Sequence, residues 1–172
     1  MNMRKKLITL ISLALIVIMI IPFTAFAEDD EEDGRFTRMT PEELSGYLLE
    51  IGAGFNPMEI TGITGTGVVA KMLNVSPSYS LGKLAVTYYT KASSIANRVG
   101  IKDLKLYEGS SLSSWTEIRD STDFDLFKQE YSSGYFYNSP VSGYYYFAEG
   151  DHYCVFGTTL YESHKTSSVV QY

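Results

Sequence analysis

The sequence predicts an all-β protein: an antiparallel β-sandwich of immunoglobulin or fibronectin type III kind, with about seven strands, preceded by one short helix. Three observations predict it. From Ile60 onward, apolar and polar residues alternate with the period of two that a strand imposes. Clusters of Gly, Ser and Asn break that pattern into pieces of strand length. No segment after residue 60 has helical spacing, so strands must cover one another to bury their apolar faces.

In chain order, Arg4, Lys5 and Lys6 precede an apolar run from Leu7 to Ile21, interrupted only by Thr9 and Ser12 and stopped by Pro22. Ala25-Phe26-Ala27 then supplies the small residues of a cleavage site, so residues 1–27 read as a secretory signal peptide. The alternative is an uncleaved anchor, but the run is shorter than the ~20 residues that span a hydrocarbon core. No later stretch is apolar enough to cross a membrane, and no cysteine follows the signal to take a lipid. The expected location is therefore secreted, with no membrane association after cleavage.

Three of the 14 basic residues lie within 1–27 and all 20 acidic ones follow it, which leaves residues 28–172 at a net charge of −9. Nucleic acid is a poor partner for such a chain, because its recognition requires a basic surface that releases counterions. Glu28 to Asp33 are six consecutive acids. Like charges repel and have nothing to bury, so residues 28–39 are expected to be a disordered acidic leader. Cys154 is the single cysteine, which excludes an intramolecular disulfide and leaves stability to the core.

Thr40-Pro41-Glu42-Glu43 marks a helix start, with Thr40 as N-cap, Pro41 at the first helical position and Glu43 closing a capping box. Leu44, Tyr47, Leu48 and Ile51 follow at helical spacing. Gly52 and Gly54 end the helix, so residues 40–59 are a short helix and linker before a sandwich over 60–172. Strands are expected at 66–74, 83–91, 100–108, 115–119, 130–137, 143–156 and 159–171. In the second, Leu84, Val86, Tyr88 and Thr90 alternate with a wetter set; in the third, Leu104 and Leu106 face inward.

The segments Ala96-Asn97-Arg98-Val99-Gly100-Ile101 and Leu104-Lys105-Leu106-Tyr107, then Trp115 and Ile118, Val141-Ser142-Gly143-Tyr144-Tyr145-Tyr146, His152 and Glu162-Ser163 resemble a family of small secreted Gram-positive bacterial proteins catalogued as a domain of unknown function. The resemblance covers residues 60–172. It implies secretion and a β-sandwich, and it carries over no catalytic or binding residue.

His152, Cys154, Glu162 and His164 are donors that zinc accepts, and a metal-assisted hydrolase on this C-terminal hairpin is the alternative reading. Register decides it. With Gly157-Thr158 as a two-residue type II′ turn, His152 faces Ser163 and His164 faces Asp151, so the histidines lie on opposite faces. A loop one residue longer would gather all four donors. The shorter turn is expected because glycine stands first. His152 and Cys154 then belong to an apolar face with Tyr146, Ala148, Phe156, Tyr161 and Val169. Asp120, Asp123 and Asp125 stand in an expected polar loop that would suit calcium. No Gly-x-Ser-x-Gly elbow and no phosphate loop occurs.

Tyrosine is the compositional excess, with 14 in the chain. Alternation sends about half of them outward, where tyrosine makes a recognition surface. Trp115, Tyr135, Tyr137, Tyr145 and Tyr153 are the candidate ligand-binding residues, and a tyrosine near Gly143 is a candidate tyrosine corner. The functional expectation is an extracellular, non-catalytic module, cofactor-free, that meets a cell-surface polysaccharide or protein.

Overall fold

A computed structural model describes residues 34–52, 59–60 and 66–172. The signal-like segment 1–27 and the acids 28–33 lie outside the described residues. The chain is an antiparallel, sandwich-like all-β fold with a short helix near its start. Its elements are β1 (Phe36–Arg38), α1 (Pro41–Gly52), β2 (Glu59–Ile60), β3 (Val68–Ser78), β4 (Lys83–Ser111), β5 (Ser114–Tyr137), β6 (Tyr145–Phe156), β7 (Thr159–Thr166) and β8 (Val170–Gln171).

The organising element is the long hairpin of β4 and β5, paired along its whole length. One edge of β4 serves two partners in turn: residues 83–92 pair with β3, and residues 98–109 pair with β6. Between them the β4–β5 register shifts from Lys91–Glu130 to Ala96–Lys128, and the hairpin folds back on itself there. One layer is therefore β2-β3-β4-β5-β1, and the other is β5-β4-β6 with β7 and β8 on the far edge of β6. The strands expected at 83–91 and 100–108 are two halves of β4, and those expected at 115–119 and 130–137 are two ends of β5. Likewise the expected last strand divides into β7 and β8.

The core lies between the layers. Leu73 and Val75 of β3 and Leu84, Val86 and Tyr88 of β4 meet Ile101, Leu104 and Leu106 from the other half of β4, with Tyr146 and Ala148 of β6. Leu104 and Leu106 face inward as their alternation predicts. Ile101, which strict alternation would turn outward, is also fully buried. The cause is a bulge between Ile101 and Leu104 in the pairing with β5, with Asp103 at φ 49°, a left-handed conformation that aspartate tolerates.

Two further expectations are corrected. The leader does not extend to residue 39: Phe36–Arg38 form β1 against Tyr135–Tyr137, because Phe36 stacks on Tyr137 and Arg38 reaches a buried carboxylate. The supposedly wetter face of β4 is dry at Ala85 and Thr87. Tyr47 and Leu44 of α1 cover it together with Met39 and Phe136. The helix itself starts as predicted, with Thr40 N donating to Glu43 Oε2 at 2.8 Å and Glu43 N donating to Thr40 Oγ1 at 3.2 Å.

Candidate binding surface

In the β6–β7 hairpin, Phe156 pairs with Thr159, and Gly157 takes φ 60°, so Gly157-Thr158 is the two-residue turn expected. His152 faces Ser163 and His164 faces Asp151. His152 and Cys154 point into the core, whereas Glu162 and His164 point to solvent; Val170 rather than Val169 packs on the core. Glu162 pairs with Lys102, and His164 Nδ1 lies 2.8 Å from Asp151 Oδ1. The four donors of the metal reading are thus split two and two across the strand pair.

His152 is held neutral. Thr90 Oγ1 donates to Gly100 O at 2.9 Å, so at 2.7 Å from His152 Nδ1 its oxygen accepts the ring N–H. Nε2 is then a bare lone pair, with no partner among the described residues. Burial, reinforced by Lys71, lowers the pKa to about 3. Lys71 itself clips the layers, its Nζ donating to Ser163 Oγ at 2.6 Å and to His164 O at 2.7 Å. Burial also pushes the Cys154 thiol up to about 11 and makes it a poor nucleophile.

The three aspartates of the supposed calcium loop lie within β5, not in a loop. Asp120 is exposed, and Asp125 Oδ1 accepts from Leu126 N at 2.7 Å. Asp123 is buried with Arg38 Nη2, 3.0 and 2.8 Å from its two oxygens, and with the Tyr88 hydroxyl. Both of its oxygens are already held, Oδ1 by Arg38 and Oδ2 by Arg38 and Tyr88. Among the described residues no group of three or more His, Cys, Asp or Glu is arranged to hold a metal.

Of the candidate ligand-binding residues, Tyr135, Tyr137 and Tyr153 are buried. The first two fill the core with Phe36 because β5 turns that face inward there. Only Trp115 and Tyr145 remain at the surface, on the outer face of the second layer. There Phe147 stacks on Tyr107 (centroids 4.8 Å) and meets the edge of Trp115 (4.7 Å). Gly109 permits this: a Cβ there would stand 3.0 Å from the Trp115 ring and 2.3 Å from Ser114 O. The strip is bordered on one side by charge, with Tyr107 donating to Glu149 at 3.0 Å and Lys105 pairing with Glu117 at 3.1 Å.

On its other side the strip runs into one end of the sandwich. Because β4 folds back, the β3–β4 turn, the β4–β5 turn, the β5–β6 loop and the β7–β8 loop all arrive there. Gly109 pairs with Tyr145 and Tyr145 with Gln171, while the Tyr79 ring lies 5.4 Å from that of Tyr172. Gly143 N donates to Tyr172 O at 2.6 Å and Tyr172 N to Tyr144 O at 2.9 Å. Tyr146, fully buried, accepts from Val141 N at 2.7 Å and is the tyrosine corner. The segments 78–82, 109–116, 138–148 and 166–172 contain no charged side chain. Five of the eight exposed large apolar side chains among the described residues project from them: Tyr79, Leu81, Leu112, Val141 and Val169, each 44–69% exposed.

No family model matches this chain, and no curated protein or solved structure does.

Sequence reasoning missed Tyr79, Leu81, Leu112, Val141 and Val169. The signal was there in four turns without an Asp, Glu, Lys or Arg, although turns are ordinarily where a chain places charge. Their convergence follows only from the fold-back of β4.

Proposed function

We propose that this chain is a secreted, non-catalytic binding module, and that the junction of its four uncharged loops, with the adjoining Trp115 strip, takes a neutral cell-surface polysaccharide. The observation that carries this reading is the junction of four charge-free loops, rich in Ser, Tyr and Gly, around exposed Tyr79, Leu81, Leu112, Val141 and Val169. Tyr and Trp give large contact area at low entropic cost, and Ser and Gly give adaptable hydrogen bonding. Sugar rings offer CH faces to aromatics and hydroxyls to serines, and a neutral chain asks for no counter-charge. Serines 80, 110, 111, 113, 139, 142, 167 and 168 supply such hydroxyls. The amino-terminal signal pattern and the resemblance to small exported Gram-positive proteins support the location.

The test is a polysaccharide array probed at low and high salt. Binding to neutral members that is insensitive to salt, and weakened roughly tenfold or more by Tyr79→Ala, supports the reading. Binding confined to a protein ligand, or binding lost with added salt, contradicts it.

A further inference from the structure

The three exposed large apolar side chains that do not belong to the uncharged loops gather at the other end of the sandwich. Ile95, Phe127 and Leu160 are 70%, 69% and 49% exposed. They stand on three features that meet there: the fold-back of β4, the irregular stretch of β5 opposite it, and the start of β7 after the Gly157-Thr158 turn. Ala96 pairs with Lys128, Arg98 with both Leu126 and Val155, and Val155 with Leu160, so one row crosses four strands. Asn97 Oδ1 accepts from Gly157 N at 2.6 Å and ties the turn to the fold-back.

Phe127 is the most unusual of the three. Its φ is 53°, a left-handed conformation that a bulky side chain enters only at a cost in backbone strain. The ring gains little from packing in return, since most of it is in solvent. Strain that holds an aromatic ring outward points to a use for the ring outside the fold.

Charge in these stretches has one sign. Residues 92–98, 126–129 and 155–161 include Arg98 and Lys128 but no Asp or Glu. Both cations are exposed, and the Arg98 guanidinium lies over the Phe124 ring at 5.2 Å. The acids that flank these stretches in sequence are engaged elsewhere. Asp125 Oδ1 accepts from Leu126 N at 2.7 Å, Glu130 takes the Tyr89 hydroxyl at 2.9 Å and Lys91 at 3.7 Å, and Glu162 pairs with Lys102.

An apolar tip set among cations suits the boundary of an anionic bilayer, where apolar groups enter between the headgroups and cations meet the phosphates. The sequence expectation of no membrane association weighed only spanning segments and lipidation, and a surface tip escapes both. Net negative charge is no obstacle either, because at physiological salt acids elsewhere on the surface are screened beyond about 8 Å.

We propose that this tip docks the protein on an anionic lipid bilayer, with Ile95, Phe127 and Leu160 in the interface and Arg98 and Lys128 at the phosphates. The proposal goes beyond the polysaccharide reading and does not rest on it, since the uncharged loops lie at the far end.

Co-sedimentation of the exported form, residues 28–172, with lipid vesicles tests it. That form holds every described residue and lacks the apolar run 7–21, which would enter lipid by itself. Vesicles of phosphatidylcholine mixed with phosphatidylglycerol should bind it, and vesicles of phosphatidylcholine alone should bind it roughly tenfold or more weakly. Phe127→Gly removes the ring and relieves the left-handed strain, so it should fold as stably as the wild type in a thermal melt and bind roughly tenfold less. Lys128→Gln should bind the anionic vesicles roughly fivefold less. The proposal is overturned by no binding to the anionic vesicles, by equal binding to both kinds, or by wild-type binding of Phe127→Gly. It is also overturned by lipid-free self-association that Phe127→Gly abolishes, which would give the tip to a second copy of this chain.

Discussion

His152 makes stability depend on pH in a direction that can be worked out from its surroundings. In the unfolded chain the imidazole titrates near 6.5, and in the fold burial and Lys71 lower it to about 3. The unfolded state therefore binds the proton over that window and the native state does not, so stability falls as pH falls from about 6.5 towards about 3 and levels off below. At ~1.4 kcal/mol per pH unit, the contribution of this one group between pH 7 and pH 5 is about 2 kcal/mol. Urea unfolding at the two pH values, followed by the fluorescence of Trp115, measures it. His152→Gln keeps a polar partner for Thr90 and cannot be protonated in this range. The other titrating groups are common to both proteins and cancel in the comparison. The wild type should lose about 2 kcal/mol more than His152→Gln on going to pH 5. Equal losses would show that His152 is not desolvated in the fold.

Three other outcomes follow from single contacts. With its pKa raised to about 11, Cys154 should react with iodoacetamide at pH 8 at least about a hundredfold more slowly in the folded protein than in urea; similar rates would place the thiol at the surface. Tyr146→Phe removes the acceptor for Val141 N and should cost about 1 kcal/mol, with faster amide exchange at Val141 rather than in β4. Gly109→Ala puts a Cβ 2.3 Å from Ser114 O, so the β4–β5 hairpin end must shift. A loss of about 1–3 kcal/mol and a red-shifted Trp115 emission are expected in urea melts and spectra.

How far the sequence could be read depended on whether a feature was local. The helix start at Thr40–Glu43 and the β6–β7 register were legible, because a capping box and a glycine at the first turn position specify them within a few residues. The inward set Leu104 and Leu106 followed from alternation. Ile101 did not, since the Asp103 bulge changes the phase between them and aspartate is as common in a turn as in a bulge. The fold-back at residues 91–96 was hidden for a different reason. Ser93, Ser94 and Asn97 look like a loop, yet Ala92, Ala96 and Val99 are buried in a small cluster with Cys154 and keep the strand going. That one misreading divided β4 and β5, put Asp123 in a loop, and concealed the meeting of the four uncharged turns. Burial of Tyr135, Tyr137 and Tyr153 was equally out of reach, because which face of β5 or β6 is covered depends on a partner distant in the chain.

The binding surface proposed is the junction of the four uncharged loops, and inserting a charge there tests it with little loss of contact. Ser142→Asp places a carboxylate in the exposed β5–β6 loop, and Ser94→Asp places one at the exposed bend at the opposite end. Affinity for a neutral polysaccharide retained by the wild type, read from Trp115 fluorescence or co-sedimentation, should fall roughly tenfold or more in Ser142→Asp and stay unchanged in Ser94→Asp. Equal affinities in the two variants would contradict the account.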